Sequence, residues 1–326
     1  MQLSPVASRR SFAVLVAIQC LFGISLATAP SLRQIKQFVV PAGPKSLRFS
    51  PDGSQVAVDC LYGHQVALID PVTFAIRKKI KVGGEPVECA FTPDGKSLWV
   101  SLYNKHRVLR LDLAAGEVVD RIDVGKVPKV VEVSPDGKWV YVANWESGSL
   151  VVVDANSRTV VRAFHVGRIP RGIAFTHDSR FAYLAIMGDT QLLKIDVANG
   201  HRVVGHIQVG ITPRHIVITP DDRTLYVSNN LAHTVTKVDL TTGKAISVLR
   251  VGKMPRTIAL SPDATTLYVC NYESGSMGVV DLANFKIAKN YRTRVHPIGV
   301  TASPDGKRVW VSSYRTSSIT VFVVER

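Results

Sequence analysis

The chain has 326 residues, with 40 Lys and Arg against 25 Asp and Glu, a formal charge of +15, and 46% hydrophobic side chains. A balance this basic disfavours cationic partners and points to polyanions: nucleic acid, anionic lipid or acidic cell-wall polymer. No Gly/Ser-rich or Pro-rich linker divides the chain into two domains.

In chain order, the first element is a leader. Arg9 and Arg10 precede an apolar run from Phe12 to Ala27, with small residues at Ala27 and Ala29. That layout reads as a secretory signal peptide over residues 1–29, leaving residues 30–326 as the mature domain. Cleavage after Ala27 is favoured over Ala29, because Pro30 would follow the later cut. Ser8-Arg9-Arg10-Ser11-Phe12 resembles the twin-arginine export signal, and the apolar core also suits the ordinary secretory route. A periplasmic or secreted bacterial protein without a transmembrane domain after cleavage is expected; an uncleaved anchor is the alternative.

Next comes a short strand, Gln34 to Val40, and then a unit that repeats seven times. Ser50-Pro51-Asp52-Gly53 returns as Thr92-Pro93-Asp94-Gly95, Ser134-Pro135-Asp136-Gly137, Thr176-His177-Asp178, Thr219-Pro220-Asp221, Ser261-Pro262-Asp263 and Ser303-Pro304-Asp305-Gly306, at spacings of 42 or 43. A proline keeps step at Pro44, Pro86, Pro128, Pro170, Pro213, Pro255 and Pro297, and an Asp closes six units, from Asp70 to Asp281. The third unit shows the content: Lys129 to Ser134, Trp139 to Asn144, Leu150 to Asp154 and Val160 to Val166 are short runs rich in Val, Tyr and Trp, bounded by Pro, Asp and Gly. Such runs are strands. Four strands and four turns fill about forty residues, matching the period. No stretch after the leader has helical periodicity.

The predicted fold is therefore all-β: a seven-bladed β-propeller with four antiparallel strands per blade. The seventh unit supplies only three strands, Val300 to Ala302, Val309 to Ser312 and Ile319 to Val324. The strand at Gln34 to Val40 is expected to complete it, since an open ring would leave an unpaired edge.

The unit vGxxPxxxxxSPDGxxlYVxNxxxxtVxvvD, clearest at Tyr141-Val142-Ala143-Asn144, Tyr226-Val227-Ser228-Asn229 and Tyr268-Val269-Cys270-Asn271, resembles the YVTN-repeat family of surface-layer and periplasmic β-propellers from Gln34 to Arg326. Blade one departs from it with Ala57-Val58-Asp59-Cys60, and blade four with Tyr183-Leu184-Ala185-Ile186. The resemblance implies fold more than function. A looser likeness extends to the haem-binding propeller of nitrite reductase, the heavy chain of methylamine dehydrogenase and seven-bladed lactonases. It implies two alternatives to a binding scaffold: a redox-cofactor or haem-associated accessory module, and a lactonase-like hydrolase.

The charge is patterned. In an antiparallel blade the loops alternate ends, so the Gly-x-x-Pro connection and the loop after the Asn position share one face. The residue after the repeat proline is Lys45, Val87, Lys129, Arg171, Arg214, Arg256 or Ile298, five of seven basic. These five are predicted to ring the mouth of the central channel, with Lys126, Arg168, Lys253 and Arg294 in the same connections. Two cations about 10 Å apart repel by roughly 0.4 kcal/mol in water, so the ring is tolerable but fits a site awaiting an anion. Tyr103, Trp145, Tyr272 and Tyr314 follow the Asn position on the same face. Interleaved with the cations, they suit a planar anion or single-stranded bases, or else pack between blades. His215 and His296 flank repeat prolines near the mouth and complete the candidate ligand-binding set.

Other chemical-looking features read as structural. The six equivalent strand-end Asp residues are Asx-turn formers. His64, His106 and His233 occupy equivalent positions, and no metal site is expected. Covalent haem lacks its Cys-x-x-Cys-His, and no Gly-x-Ser-x-Gly elbow or phosphate loop appears. His215, His296, Glu88 and Arg48 remain the candidates for an axial acid/base or haem-ligand cluster. Of Cys60, Cys89 and Cys270, the first two lie in neighbouring blades, with free buried thiols favoured over a disulfide. The functional expectation is a monomeric, non-enzymatic scaffold without a cofactor, binding an anionic small molecule, a cell-envelope polymer or a protein partner. Nucleic acid is a further partner through the basic face, and a haem-type cofactor is the alternative.

Overall fold

A computed structural model describes residues 29–325. Apart from Ala29, the leader read over residues 1–29 lies outside the described residues. The remainder is seven sheets of four antiparallel strands. The innermost strands are Pro44–Phe49, Pro86–Phe91, Pro128–Val133, Pro170–Phe175, Pro213–Ile218, Pro255–Leu260 and Pro297–Ala302. Consecutive sheets pack face to face around an axis lined by these strands, so every blade lends the axis one short segment.

Each Ser/Thr-Pro-Asp turn works in the same way. In blade one the Ser50 hydroxyl donates to Asp52 Oδ1 at 2.6 Å, Gly53 N donates to the Ser50 carbonyl at 2.9 Å, and Gln55 N donates to Ser50 Oγ at 3.1 Å. The fourth residue of the turn is left-handed, with φ 71° at Gly53. The strand-end Asp residues are Asx turns as expected: Asp70 Oδ1 accepts from Val72 N at 2.7 Å and Thr73 N at 2.9 Å. Those backbone donors, Thr73 first, together with Arg77, lower the Asp70 carboxyl to about 2.

The aromatic residues that open the Tyr-Val runs form the walls between blades. Trp99, Tyr141, Tyr183, Tyr268 and Trp310 are essentially solvent-free; burying a large apolar side chain contributes about 1.5–3 kcal/mol. Closure is as expected. Ser31–Val39 pairs antiparallel with Ser318–Glu325, from Ser31↔Glu325 to Val39↔Ser318. Phe38 on this strand meets Trp310 edge-on at 5.7 Å, so the closing strand also covers the apolar face of the last blade. The three cysteines of the propeller are free and buried.

Candidate anion-binding site at the channel mouth

The residue after the repeat proline is aimed by a β-bulge. In blade three Pro128 pairs with Asn144 and Val130 with Ala143, which leaves Lys129 as the extra residue outside the ladder. The same shift recurs after Pro44, Pro86, Pro170, Pro213, Pro255 and Pro297. A bulge bends the strand and re-aims the unpaired residue. Here it turns that side chain from the sheet toward the axis. Immediately upstream, Val127, Ile169, Thr212, Met254 and His296 all have φ between 54° and 58°. Three of these are β-branched, for which the left-handed region is a true outlier, costing of order 1–3 kcal/mol. Strain of this kind gathers at ligand clamps, and here it recurs at the entrance to each basic position of blades three to six.

The five predicted cations converge. Lys45 feels the charge of Lys129, Arg214, Arg171 and Arg256. Lys129, Arg171 and Arg214 are only 8%, 6% and 5% exposed. Among the described residues, none of the five forms an ion pair with a carboxylate. Arg171 Nη1 and Arg256 Nε are buried without a hydrogen-bond partner. Burial first, and the neighbouring cations second, push the Lys129 amine down to about 6. Burial likewise lowers Arg171 to about 10, and Lys45 and Arg214 fall well below their ordinary values. Lys126, Arg168, Lys253 and Arg294 stay exposed on the rim.

All four predicted aromatic residues are at the mouth, and their faces carry the cations. Lys129 Nζ is 4.1 Å from the Tyr103 ring centroid and 4.3 Å from that of Trp145, with the Arg171 guanidinium 5.2 Å from Trp145. Arg256 sits 3.5 Å from the Tyr272 centroid, and Lys45 4.8 Å from that of Tyr314. His296 stacks on Tyr272 at 4.4 Å, and its Nε2 lies 3.8 Å from Glu273. A ring quadrupole under each of these cations offsets part of their mutual repulsion, about 0.5–2 kcal/mol per contact. Among the described residues, Arg214 lies over no such ring.

Of the axial candidates His215, His296, Glu88 and Arg48, the charge of Arg48 reaches both Glu88 and His215, while His296 stands apart. Arg48 is committed to Glu132 in a two-pronged pair at 2.6 and 2.9 Å, and His296 belongs to the mouth. His215 and Glu88 sit one residue beyond the mouth position. Burial, then Arg48, Arg171 and Arg214, depress His215 to about 3, so its ring is neutral. Glu132 escaped the sequence reading. Its signal was a lone acid in the apolar run Pro128–Val133, in the slot that Arg48 holds in blade one. His64, His106 and His233 are structural: each is left-handed, and their Nδ1 atoms bridge to neighbouring loops, as where His106 accepts from Val127 N at 3.2 Å. Among the described residues no group of His, Cys, Asp and Glu is arranged to hold a metal.

Beyond the Arg48–Glu132 pair, toward the Pro-Asp-Gly turns, a cavity of about 390 Å³ is walled by Phe175, Ile216, Ile218 and Leu260, with His177 and His215 also on its lining. The axis thus has a cationic end and, beyond it, a cavity of mixed polar and apolar lining that the Arg48–Glu132 pair borders.

Fold and axis define a seven-bladed β-propeller with an unpaired cationic mouth. A YNCE-like β-propeller family model matches residues 89–181, and a seven-bladed lactonase β-propeller model matches residues 161–285. Comparison with curated proteins finds no match. Among solved structures, Kuenenia stuttgartiensis hydrazine synthase is similar, at 23% identity and a TM-score of 0.79, over 89% of this chain and 98% of that one. At that identity the likeness is one of fold.

Proposed function

We propose that the protein is a non-enzymatic binding scaffold of YVTN type, exported to the periplasm or secreted, whose channel mouth holds an anionic ligand. The observation that carries this reading is the convergence of Lys45, Lys129, Arg171, Arg214 and Arg256 without a paired carboxylate, with buried guanidinium nitrogens left unsatisfied. Uncompensated buried cations cost stability, and an incoming anion restores the missing partner. The rings already carry cations on their faces, which favours a compact oxyanion, free or displayed on a polymer, over a planar ligand needing an open stacking face. With Lys129 lowered to about 6, much of that amine is neutral at pH 7.5, so anion binding takes up protons.

Calorimetric titration with tripolyphosphate tests the reading. The wild type binds, with an enthalpy that varies with buffer as proton uptake requires. Arg171→Gln with Arg214→Gln lowers affinity by roughly a hundred- to ten-thousandfold, the loss expected for two charge-assisted contacts, and flattens its salt dependence. Unchanged affinity and unchanged salt slope in the double variant would overturn it.

The lactonase model over residues 161–285 favours a second reading, hydrolysis near His215. Lactone turnover abolished by His215→Ala would support it. A ring held as neutral as His215 is a weak base at neutral pH, which ranks this reading below the first. The redox-accessory alternative requires visible cofactor absorption in protein purified from its native source.

A further inference from the structure

Glu88 is the one acidic residue among the mouth position and the position after it. Its innermost-strand slot is shared by Ser46, Val130, Gly172, His215, Thr257 and Gly299. Among the described residues its carboxylate takes part in neither an ion pair nor a hydrogen bond, although it feels Arg171, Arg48 and Arg214. The other axial acid, Glu132, is already taken by Arg48. Ser46 is also engaged, donating to Asp59 at 2.7 Å. A free carboxylate therefore lies beside the mouth, one residue along the strand from Val87, where Lys129, Arg171 and Arg214 each feel its charge.

Burial raises the Glu88 pKa above the ordinary carboxylate value, with Arg171 and Arg48 pulling the other way; in its ionised form such a group accepts hydrogen bonds and donates none. Toward an oxyanion with no proton it offers only repulsion; toward one with a hydroxyl it offers a charge-assisted hydrogen bond. A site built around a ligand donor rejects the analogue that lacks it, because the acceptor is left buried and unpaired.

Building on the reading of the mouth as an anion site, we propose that it selects an oxyanion carrying its own hydrogen-bond donor, such as monohydrogen phosphate, and that Glu88 is the acceptor that makes the selection. The cations supply affinity and are indifferent to the proton. Glu88 supplies discrimination.

Phosphate and sulfate at pH 7.5 test this cleanly, since both are predominantly tetrahedral dianions and only phosphate keeps a hydroxyl. Titration calorimetry at matched ionic strength is expected to show phosphate bound tighter than sulfate by on the order of tenfold or more. In Glu88→Gln the amide can donate to either anion, so sulfate binding strengthens and the two affinities come within about threefold of each other. Equal binding of the two anions by the wild type would overturn the selection while leaving the anion site standing. A phosphate preference undiminished in Glu88→Gln would remove Glu88 from the role. Binding of neither anion would overturn the anion site and this selection with it.

Discussion

Ala264 ends the blade-six turn at φ 51°, where the blade-one turn has Gly53 at φ 71°. An L-residue with a Cβ pays about 1–2 kcal/mol there, while glycine's larger unfolded-state entropy returns part of that. Ala264→Gly is therefore expected to stabilise the propeller by roughly 0.5–1 kcal/mol in denaturant unfolding; a destabilised variant would contradict this account of the turn. Ser179 and Asp222 share the conformation at φ 59° and 54°, but each also works for its neighbour. Ser179 Oγ accepts from Asp136 N at 3.0 Å, and Asp222 accepts from His177 N at 2.9 Å. The same substitution there would lose a bond between blades. The strand-end Asp and loop His residues were legible as structural because each recurs at equivalent positions in several blades. Val127 and Ile169 were not legible, because nothing in a Val-Pro or Ile-Pro pair announces a left-handed residue, and the preference before proline is for extended backbone.

At the level of elements, the closing strand is the most vulnerable part of the ring. Ser31–Val39 supplies the whole outer edge of the seventh blade, and Arg33 adds an ion pair to Glu325 at 2.6 Å, although that exposed pair contributes little. Removing residues 29–40 would strip Phe38 from Trp310 and bare the edge of Ser318–Glu325. The truncated chain is expected to lose cooperative thermal unfolding and to aggregate; an unchanged midpoint would show that the closure is dispensable. The short strand count of the seventh unit makes this pairing readable in the sequence alone. The bulge after each repeat proline was not readable. It is a register property, visible only once Pro128 is seen opposite Asn144 and Val130 opposite Ala143. Yet the bulge is what converts a column of basic residues in the sequence into a ring of side chains on the axis.

For the whole molecule, sevenfold repetition builds the frame and departures from it build the candidate site. Val87 and Ile298 break the cationic column at blades two and seven, and Glu88 introduces an acid where the other blades have Ser, Val, Gly, His or Thr. The basic column could be counted from the sequence. The partnerships within it could not, since Trp145 meets both Lys129 and Arg171 only when blades three and four are side by side. The Arg48–Glu132 pair likewise spans the axis from blade one to blade three. Such contacts depend on ring closure rather than on any one repeat. The most direct measurement is a crystal of the protein soaked in arsenate, a tetrahedral oxyanion that keeps a hydroxyl as a dianion and scatters anomalously. An anomalous peak on the axis, in contact with Arg171, Arg214 and Arg256, is the predicted result. Arsenic found only on the outer rim, at Lys126, Arg168, Lys253 or Arg294, would contradict an anion site at the channel mouth.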